Sequence, residues 1–480
     1  MLKQLIIIIS IVLLPVSGYA QAPDTLWTRT YGGGASDLGF GVQQTDDGGF
    51  IIIGKTNSNS AGMSDIYLIK TDANGDTLWT RKYGGEFTDS GRFVLQNEDG
   101  GYILVCMFGL TSSNVCLQLI KTDQNGDTLW TRTHAAHQVY QSIRQTEDGG
   151  YIIAGSAQED AAMIKTNADG EIEWAQTYNG NEWDYGSCAV PISDGGYILT
   201  GSITQSYPGQ TNVFLIKTDA DGDTVWTRSI GENMVDSGSC VIEDSNGDYV
   251  VTGMLNGEDE ADIYSDVYLV KVDVNGDTLW TNFYGRRYND WGNYLVQASD
   301  GGYVMTGFCD YAWSTPYEGD LTLVKADFDG DEEWYLTFGG ADMDNGKCVQ
   351  KTVDGGYIVV GHTYSYGAGS ADIWLLRFEG ELATTEDSDY SSPGEFELYP
   401  PFPNPFNSQT VISYEIRDAG FVELKAYDVT GREAARLVDS MKPAGQHQVV
   451  FDASELPSGV YICRMTVGSF SRTQKILLIK

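Results

Sequence analysis

The chain has 480 residues, of which 67 are Asp or Glu and 29 are Lys or Arg, so its formal net charge is −38. That charge repels phosphate backbones and anionic lipid, which excludes nucleic-acid binding through a basic surface. Hydrophobic residues make up 41% of the chain and aromatic residues 12%, enough for the packed core of one large repeat fold or of several domains. The negative charge does not exclude divalent cations or neutral ligands such as glycans as partners.

Residues 1–20 have the features of a secretory signal peptide. Lys3 precedes an apolar run from Leu5 to Leu14, and the segment ends in Gly18-Tyr19-Ala20, with small residues where a signal peptidase cleaves. No later segment approaches the ~18 consecutive apolar residues that a membrane helix needs. We therefore expect a mature chain from Gln21 that leaves the cytoplasm in soluble form and has no transmembrane segment.

Two short motifs each recur seven times along residues 21–380. The first is a turn of the type Asp-Gly-Gly-Tyr, and its copies begin at Asp47, Asp99, Asp148, Asp194, Asn246, Asp300 and Asp354. The second is typified by Asn-Gly-Asp-Thr-Leu-Trp, and its Trp residues are Trp27, Trp79, Trp130, Trp174, Trp226, Trp280 and Trp334. A period of about 50 residues with turn residues at constant positions indicates a repeat architecture.

Each repeat has the pattern of four antiparallel strands. In the first repeat the strands are predicted at Gly41–Thr45, Phe50–Lys55, Asp65–Thr71 and Thr77–Tyr83, separated by Asp-Gly and Asn-Gly turns. The two central strands are apolar on both faces, so each sheet must be covered on both sides by neighbouring sheets. The fold class predicted for residues 21–380 is therefore all-β, a seven-bladed β-propeller.

The ends of the repeat region complement each other. The region begins with a lone fourth strand, Thr25–Tyr31, and its last repeat stops one strand short, at Ile373–Phe378. We expect the first strand to complete the last blade, which would leave no open sheet edge.

The repeats resemble those of secreted bacterial repeat propellers. The turn before each Trp is similar to the tryptophan motif of pyrroloquinoline-quinone-type propellers and, more loosely, to the Asp box of sialidases. In those families both motifs pack one blade against the next, on the side opposite the ligand. The resemblance therefore implies a fold and not a chemistry.

A polar linker at residues 381–395 leads into a small domain at residues 396–480. Four alternating strands are predicted there, at Val411–Ile416, Val422–Tyr427, Gln448–Phe451 and Val460–Met465. Short alternating strands joined by Gly-containing turns are typical of an immunoglobulin-like β-sandwich.

The residues of this small domain resemble the type A C-terminal sorting domain of the type IX secretion system. The residues that carry the resemblance are Pro403, Asn404, Pro405, Phe406, Asn407, Gly431, Gly459 and Lys480. The resemblance implies that the chain crosses the inner membrane, folds in the periplasm, meets the type IX secretion machinery as a partner, and is released from or displayed on a Gram-negative cell. An ordinary adhesion sandwich is the alternative.

The connections that vary between repeats lie on one face of the predicted ring, which makes that face the candidate ligand surface. A repeated Asp lies at the start of the innermost strand of six repeats, at Asp37, Asp89, Asp184, Asp236, Asp290 and Asp344, with Gln138 in the third repeat. This set could hold a cation such as calcium at the channel mouth. The stronger alternative is that each Asp caps a turn and binds backbone amides.

An aromatic and charged group falls on the same face in the last three repeats. Its members are Arg286, Arg287, Tyr288, Trp291, Tyr311, Trp313, Tyr317, Tyr364 and Tyr366. Tyr and Trp beside Arg can stack on sugar rings or anchor a protein partner, and ordinary packing of loops is the alternative. His134 and His137 lie close together in the third repeat, but they lack a third metal ligand at a suitable spacing.

No nucleophile, base or phosphate-binding motif is recognisable, and we expect no other cofactor. The function predicted is a secreted or cell-surface propeller that binds a glycan or a protein; a polysaccharide hydrolase or lyase that uses Asp residues is the alternative. The seven Cys do not form a disulfide framework. A bridge between Cys106 and Cys116 is left open, and Cys188, Cys240 and Cys348 are predicted to be small buried residues.

Overall fold

The computed structural model describes residues 22–380, 396–398 and 406–478. Within those ranges it leaves out residues 113, 137, 158, 179–183, 207–209, 232–235, 257–264, 286–288, 311–318, 417–419, 429–431, 444, 455, 458 and 468–469. The predicted signal peptide and linker thus lie outside the described residues. The chain divides into two compact units, Met1–Thr385 and Glu386–Lys480, which are described separately.

All regular elements of the described residues are β-strands. Those of the first unit are β1 (Thr25–Tyr31), β2 (Asp37–Gln44), β3 (Phe50–Thr56), β4 (Asp65–Thr71), β5 (Thr77–Tyr83), β6 (Ser90–Gln96), β7 (Tyr102–Thr111), β8 (Asn114–Thr122), β9 (Thr128–Ala136), β10 (Gln138–Gln145), β11 (Tyr151–Ala157), β12 (Asp160–Thr166), β13 (Ile172–Tyr178), β14 (Tyr185–Pro191), β15 (Tyr197–Ser206), β16 (Gln210–Thr218), β17 (Thr224–Ile230), β18 (Ser237–Glu243), β19 (Tyr249–Asn256), β20 (Ser265–Val272), β21 (Thr278–Tyr284), β22 (Asp290–Gln297), β23 (Tyr303–Asp310), β24 (Gly319–Ala326), β25 (Glu332–Phe338), β26 (Asp344–Lys351), β27 (Tyr357–Thr363) and β28 (Asp372–Phe378).

The 28 strands form seven antiparallel sheets of four strands each. Six sheets take four consecutive strands, from β2–β5 to β22–β25, and the seventh has the order β1-β28-β27-β26. Thr25 lies opposite Phe378 and Tyr31 lies opposite Ile373, so the predicted pairing of the first strand with the last repeat is observed. The prediction of an all-β chain with seven four-stranded sheets is confirmed.

The first strands of the seven sheets contact one another in cyclic order. β2 contacts β6, β6 contacts β10, and the contacts continue through β14, β18, β22 and β26 back to β2. The second and third strands of each sheet are almost wholly buried, as their apolar sequences require. In the first repeat the innermost strand begins at Asp37, four residues earlier than predicted, because Asp37 already pairs with Thr56.

The two repeated motifs pack each sheet against the next. Trp27 contacts Phe50 of the first sheet with ring centroids 5.8 Å apart, and Tyr31 donates a hydrogen bond of 2.6 Å from its hydroxyl to the carbonyl of Gly75. Gly75 has a φ of 78°, which only Gly adopts readily, and a side chain there would meet the Trp27 ring. The turns therefore serve packing, as their resemblance to known propeller motifs implies.

A Lys or Arg near the end of the third strand of every sheet, buried in five sheets and partly buried in two, binds an Asp in or beside the Asp-Gly-Gly turn. The seven pairs are Lys70–Asp47, Lys121–Asp99, Lys165–Asp148, Lys217–Asp194, Lys271–Asp244, Lys325–Asp300 and Arg377–Asp354. The hydrogen bond from Lys165 lowers the pKa of Asp148 to about 2. We call these seven pairs the turn clamps; in each of them a carboxylate compensates the charge of the cation.

The second unit contains two small sheets around its own core. Its strands are β29 (Phe396–Leu398), β30 (Gln409–Ile416), β31 (Gly420–Asp428), β32 (Glu433–Lys442), β33 (Gly445–Asp452), β34 (Gly459–Val467) and β35 (Phe470–Leu478). One sheet has the order β29-β30-β33 and the other β32-β31-β34-β35. Phe406, Tyr414, Phe451 and Met465 are among the buried residues.

All seven Cys lie among the described residues, are buried and form no disulfide with one another. The bridge left open between Cys106 and Cys116 is not formed, because the two residues are not opposite each other: Cys106 pairs with Gln118 and Cys116 with Phe108. Adjacent strands bring sulfur atoms to bonding distance only at closely apposed Cβ atoms. Cys188, Cys240 and Cys348 are buried as predicted.

Candidate functional site

A β-bulge interrupts the first strand of every sheet at the same place. The pairing with the second strand skips one residue, three positions after the repeated Asp or its Gln138 equivalent. A bulge re-aims the side chain of the skipped residue. We call these residues the inner ring; they are Phe40, Arg92, Gln141, Ser187, Ser239, Asn293 and Lys347.

The inner ring is accessible and variable, although it lies on the most repetitive strand. All seven residues are exposed or partly exposed, whereas the described residues beside them are buried. Gly precedes the bulge in six sheets, because the backbone of the preceding sheet comes close; a side chain on Gly39 would meet the carbonyl oxygen of Gly361 at 2.7 Å. The scaffold thus holds seven side chains of six different types around one opening.

Two inner-ring residues and two neighbours on second strands form a cationic cluster, consisting of Lys55, Arg92, Lys347 and His362. Arg92 lies 4.7 Å above the ring of Phe40. Burial lowers the pKa values of Lys55 and Lys347, in Lys347 to about 8, and the charge of Arg92 lowers both further. The charges of these side chains therefore act on one another in the folded protein.

No carboxylate pairs with the cluster within the part of the chain that the structure describes. Among the described residues Lys55, Arg92 and Lys347 form no ion pair, and the hydrogen bond of Arg92 goes to the sulfur of Met107. His362 is only 6% exposed, and its Nδ1 has no hydrogen-bond partner. Burial and the charges of Lys347 and Lys55 lower the pKa of His362 to about 3.

The lowered pKa of His362 predicts a pH dependence of the unfolding free energy. Since its folded pKa lies below the ordinary value near 6.5, its contribution to stability is present above pH 6.5 and is lost as the pH falls towards 3. We expect His362→Met, which copies Met107 and Met254 at the equivalent position, to reduce the loss of unfolding free energy between about pH 7 and about pH 4.5 by roughly 2–3 kcal/mol. Equal losses in the variant and the parent, measured by denaturant unfolding, would contradict this.

A stack of side chains fills the ring next to the cluster. The Arg144 guanidinium lies 5.0 Å from the ring of Phe93 and 5.5 Å from that of Tyr294, and it donates a 2.5 Å hydrogen bond to the Tyr294 hydroxyl. The sulfur atoms of Cys188 and Cys240 lie 3.8 Å apart in the same region. These side chains pack against one another beside the cationic cluster.

The six repeated Asp are buried, and the described contacts of their carboxylates go mainly to backbone amides. Asp37 accepts bonds from the Gly33 amide and the Ser58 hydroxyl, both at 2.7 Å, and Asp89 accepts from the amides of Gly85 and Gly109. Among the described residues no group of three or more His, Cys, Asp or Glu could hold a metal. These contacts favour the turn-capping interpretation over a cation site.

The predicted aromatic group is only partly described. Arg286, Arg287, Tyr288, Tyr311, Trp313 and Tyr317 lie outside the described residues, as does His137. Trp291 and Tyr364 are 43% and 40% exposed, and Tyr364 lines a cavity of about 260 Å³ together with Asp342, Met343 and Ser370. The Tyr366 ring packs against Trp374, 5.5 Å away.

Sequence reasoning missed the cationic cluster and Tyr185. Tyr185 is 42% exposed and occupies the same repeat position as Trp291. His134 was noted, but it lies on β9, the outer strand of the second sheet. An alignment of the seven repeats on their Asp would have marked the inner ring, because its residue type changes while its neighbours recur.

Of the predicted sorting residues, Phe406, Asn407 and Gly459 are described. Phe406 is 3% exposed and packs against Phe451 with ring centroids 5.8 Å apart. Pro403, Asn404, Pro405, Gly431 and Lys480 lie outside the described residues.

Residues 401–480 match the family model described as a secretion system C-terminal sorting domain. The chain therefore carries the sorting domain of the type IX secretion system, which indicates a secreted or cell-surface protein of Bacteroidetes-type bacteria. A domain of this kind implies an interaction with the type IX machinery. No helix among the described residues is long and apolar enough to span a membrane.

No curated protein matches the chain. Among solved structures, a protein of unknown function from Bacteroides caccae is similar at 14% identity and a TM-score of 0.39, over 65% of this chain and 98% of that one. PorZ, a surface component of the type IX secretion system of Porphyromonas gingivalis, is similar at 10% identity and a TM-score of 0.31, over 93% and 74%. A fungal alcohol oxidase of the AA5 family reaches 0.46 at 11% identity, over 95% and 100%. These TM-scores are too low to support an inference.

Proposed function

We propose that this protein is a non-catalytic binding module, a seven-bladed propeller closed by β1 and exported through its sorting domain. Its ligand is a glycan or a protein outside the cell. The observation that carries the proposal is the inner ring: a rigid, repeated scaffold presents seven accessible side chains of six types around one opening. Variable side chains on an invariant frame are typical of a binding surface.

The exposed aromatic residues lie on the first strands beside the inner ring. Trp291 and Tyr185 are two residues before Asn293 and Ser187, and both rings are partly exposed. A rigid aromatic ring contributes contact area at low entropic cost, which is why Trp and Tyr dominate binding energies. We therefore expect Trp291 to contact the ligand.

A glycan array and a capture experiment with extracellular proteins, both using the full exported protein, test the proposal. We expect a specific ligand whose affinity falls about 5-fold to 30-fold in Trp291→Ala, as loss of a buried aromatic contact costs about 1–2 kcal/mol. Phe283→Ala is the matched control, because Phe283 is also 43% exposed but lies on the outer strand β21.

Two results would contradict the proposal. One is turnover of a polysaccharide by the purified protein, which would favour the enzyme alternative. The other is equal loss of affinity in Trp291→Ala and Phe283→Ala, which would place the ligand away from the inner ring.

A further inference from the structure

We propose that the cationic cluster of Lys55, Arg92, Lys347 and His362 binds the carboxylate group of an acidic saccharide. The inference rests on the proposed binding function and specifies the chemistry of its ligand. The anion would lie at the opening of the ring, between the first, second and seventh sheets. Lys and Arg there supply charge-assisted hydrogen bonds, the strongest kind available to an oxyanion.

The turn clamps show how this chain treats the cations of its third strands. In all seven repeats the cation near the end of the third strand has a carboxylate partner, even where the Lys side chain is 2% exposed, as in Lys271 and Lys325. Lys55, Arg92 and Lys347 are partly buried and have no such partner among the described residues. The chain has 67 acidic residues, so a shortage of carboxylates does not explain why these three cations have no carboxylate partner among the described residues.

Clustered cations without a counter-charge destabilise the folded protein. Burial disfavours their charged forms, and each charge repels the next. An anion bound among them would remove both penalties. The repeated Asp of the first and seventh sheets form no ion pair with these cations among the described residues: Asp37 and Asp344 each use one carboxylate oxygen to accept from a Gly amide and a Ser hydroxyl, and the other oxygen has no hydrogen-bond partner.

Two further groups fit an acidic sugar rather than a bare ion. The unpartnered Nδ1 of buried His362 offers a hydrogen bond in the tautomer that carries its proton there. The His362 ring lies 6.1 Å from that of Tyr364, which lines the 260 Å³ cavity. A sugar ring stacked on Tyr364 would therefore lie next to the cationic cluster, within reach of its own acidic substituent.

The test is calorimetric titration of the full exported protein with glucuronate, with sulfate and with glucose, at constant ionic strength. We expect glucuronate to bind and glucose to bind at least about tenfold more weakly, the equivalent of one charge-assisted hydrogen bond. Arg92→Gln and Lys347→Gln, which copy Gln141 of the third sheet, should each lower glucuronate affinity about tenfold or more.

Lys351→Gln is the matched control. Lys351 lies four residues after Lys347 on the same strand, β26, and is exposed. It should leave the affinity unchanged. Without ligand, Lys347→Gln should melt at or above the parent temperature, because it removes a repelled charge; a purely structural Lys would instead give a lower melting temperature.

The pH dependence gives an independent readout. Lys347 faces Arg92, Lys55 and His362, with Asp344 at the start of its own strand, and its lowered pKa is about 8. Glucuronate affinity should therefore fall from about pH 7 to about pH 9 as Lys347 loses its proton. An affinity that stays constant over this range would count against Lys347 as a ligand.

Several outcomes would overturn the inference. They are equal binding of glucose and glucuronate, undiminished affinity in both Gln variants, or binding of sulfate without glucuronate, which would make the site one for a free inorganic anion. A neutral glycan or a protein captured through Trp291 would leave the proposed function standing and refute the acidic ligand alone.

Discussion

Removal of residues 386–480 is expected to abolish export and leave the protein in the periplasm. Those residues form a compact unit with its own core and include the match to the sorting domain. The ring unit has a separate core, so its sheets should still form after the truncation. Fractionation and protease accessibility on whole cells measure the result, and unchanged surface export of the truncated chain would refute the sorting role.

A single substitution tests whether export requires the sorting domain to be folded and not only to be present. Phe406→Ala removes a buried ring that packs against Phe451, and such truncations cost about 3–5 kcal/mol, a large share of the stability of a small domain. We expect reduced export. Phe421→Ala is the control, because Phe421 is 52% exposed, and normal export is expected there.

Loss of the turn clamp in the fifth sheet should strongly destabilise the ring unit. Lys271 and Asp244 are 2% and 0% exposed, their charged atoms are 2.8 Å apart, and the Tyr303 hydroxyl donates a hydrogen bond of 2.9 Å to the same carboxylate. Lys271→Met would leave a buried carboxylate without its counter-charge, which costs about 3–5 kcal/mol. Thermal or denaturant unfolding measures the change.

The equivalent substitution in the second sheet is the matched control. Lys121 and Asp99 make the equivalent contact at 2.9 Å, but their side chains are 21% and 51% exposed, so Lys121→Met should cost only about 0–1 kcal/mol. If both variants lost the same stability, burial would not be what gives the clamp its strength.

The Lys271 clamp also predicts a pH dependence. Burial opposes ionisation of Asp244, but the hydrogen bonds from Lys271, the Asn246 amide and the Tyr303 hydroxyl together with the charge of Lys271 outweigh it and lower the pKa of the carboxyl. A lowered acid pKa contributes stability above the unfolded value near pH 4, and this contribution is lost as the pH falls below it. Lys271→Met should therefore reduce the loss of stability in acid, which a comparison of unfolding free energies between about pH 6 and about pH 3 would measure.

The sequence by itself determined the strands of this protein, because their signals are local. The Asp-Gly-Gly and Asn-Gly turns set where each strand ends, and β1, β4 and β5 have the predicted bounds. Counting strands at the two ends of the repeat region was enough to predict that β1 pairs with β28, since an antiparallel sheet with a missing strand and a strand without a sheet complement each other.

The repeats made the scaffold predictable from the sequence, but they drew attention to the recurring Asp instead of to the inner ring. The repeated Asp stood out because they recur, yet residues that recur in every repeat serve what the repeats share: Asp89 is buried and binds the amides of Gly85 and Gly109. The bulge residues are of six types over seven repeats and formed no motif. Their exposure depends on a skipped pairing between two strands, which no single stretch of sequence records.

Only the tertiary structure brought the cationic cluster together. Lys55 and Arg92 lie near one end of the repeat region, and Lys347 and His362 lie near the other, almost 300 residues away. They become neighbours because the seventh sheet packs against the first, so that β26 and β27 contact β2. The excess of negative charge can be read from the sequence, because many of the acidic residues lie in the repeated turns. The cluster of positive charge, which has no carboxylate partner among the described residues, arises only from that long-range contact.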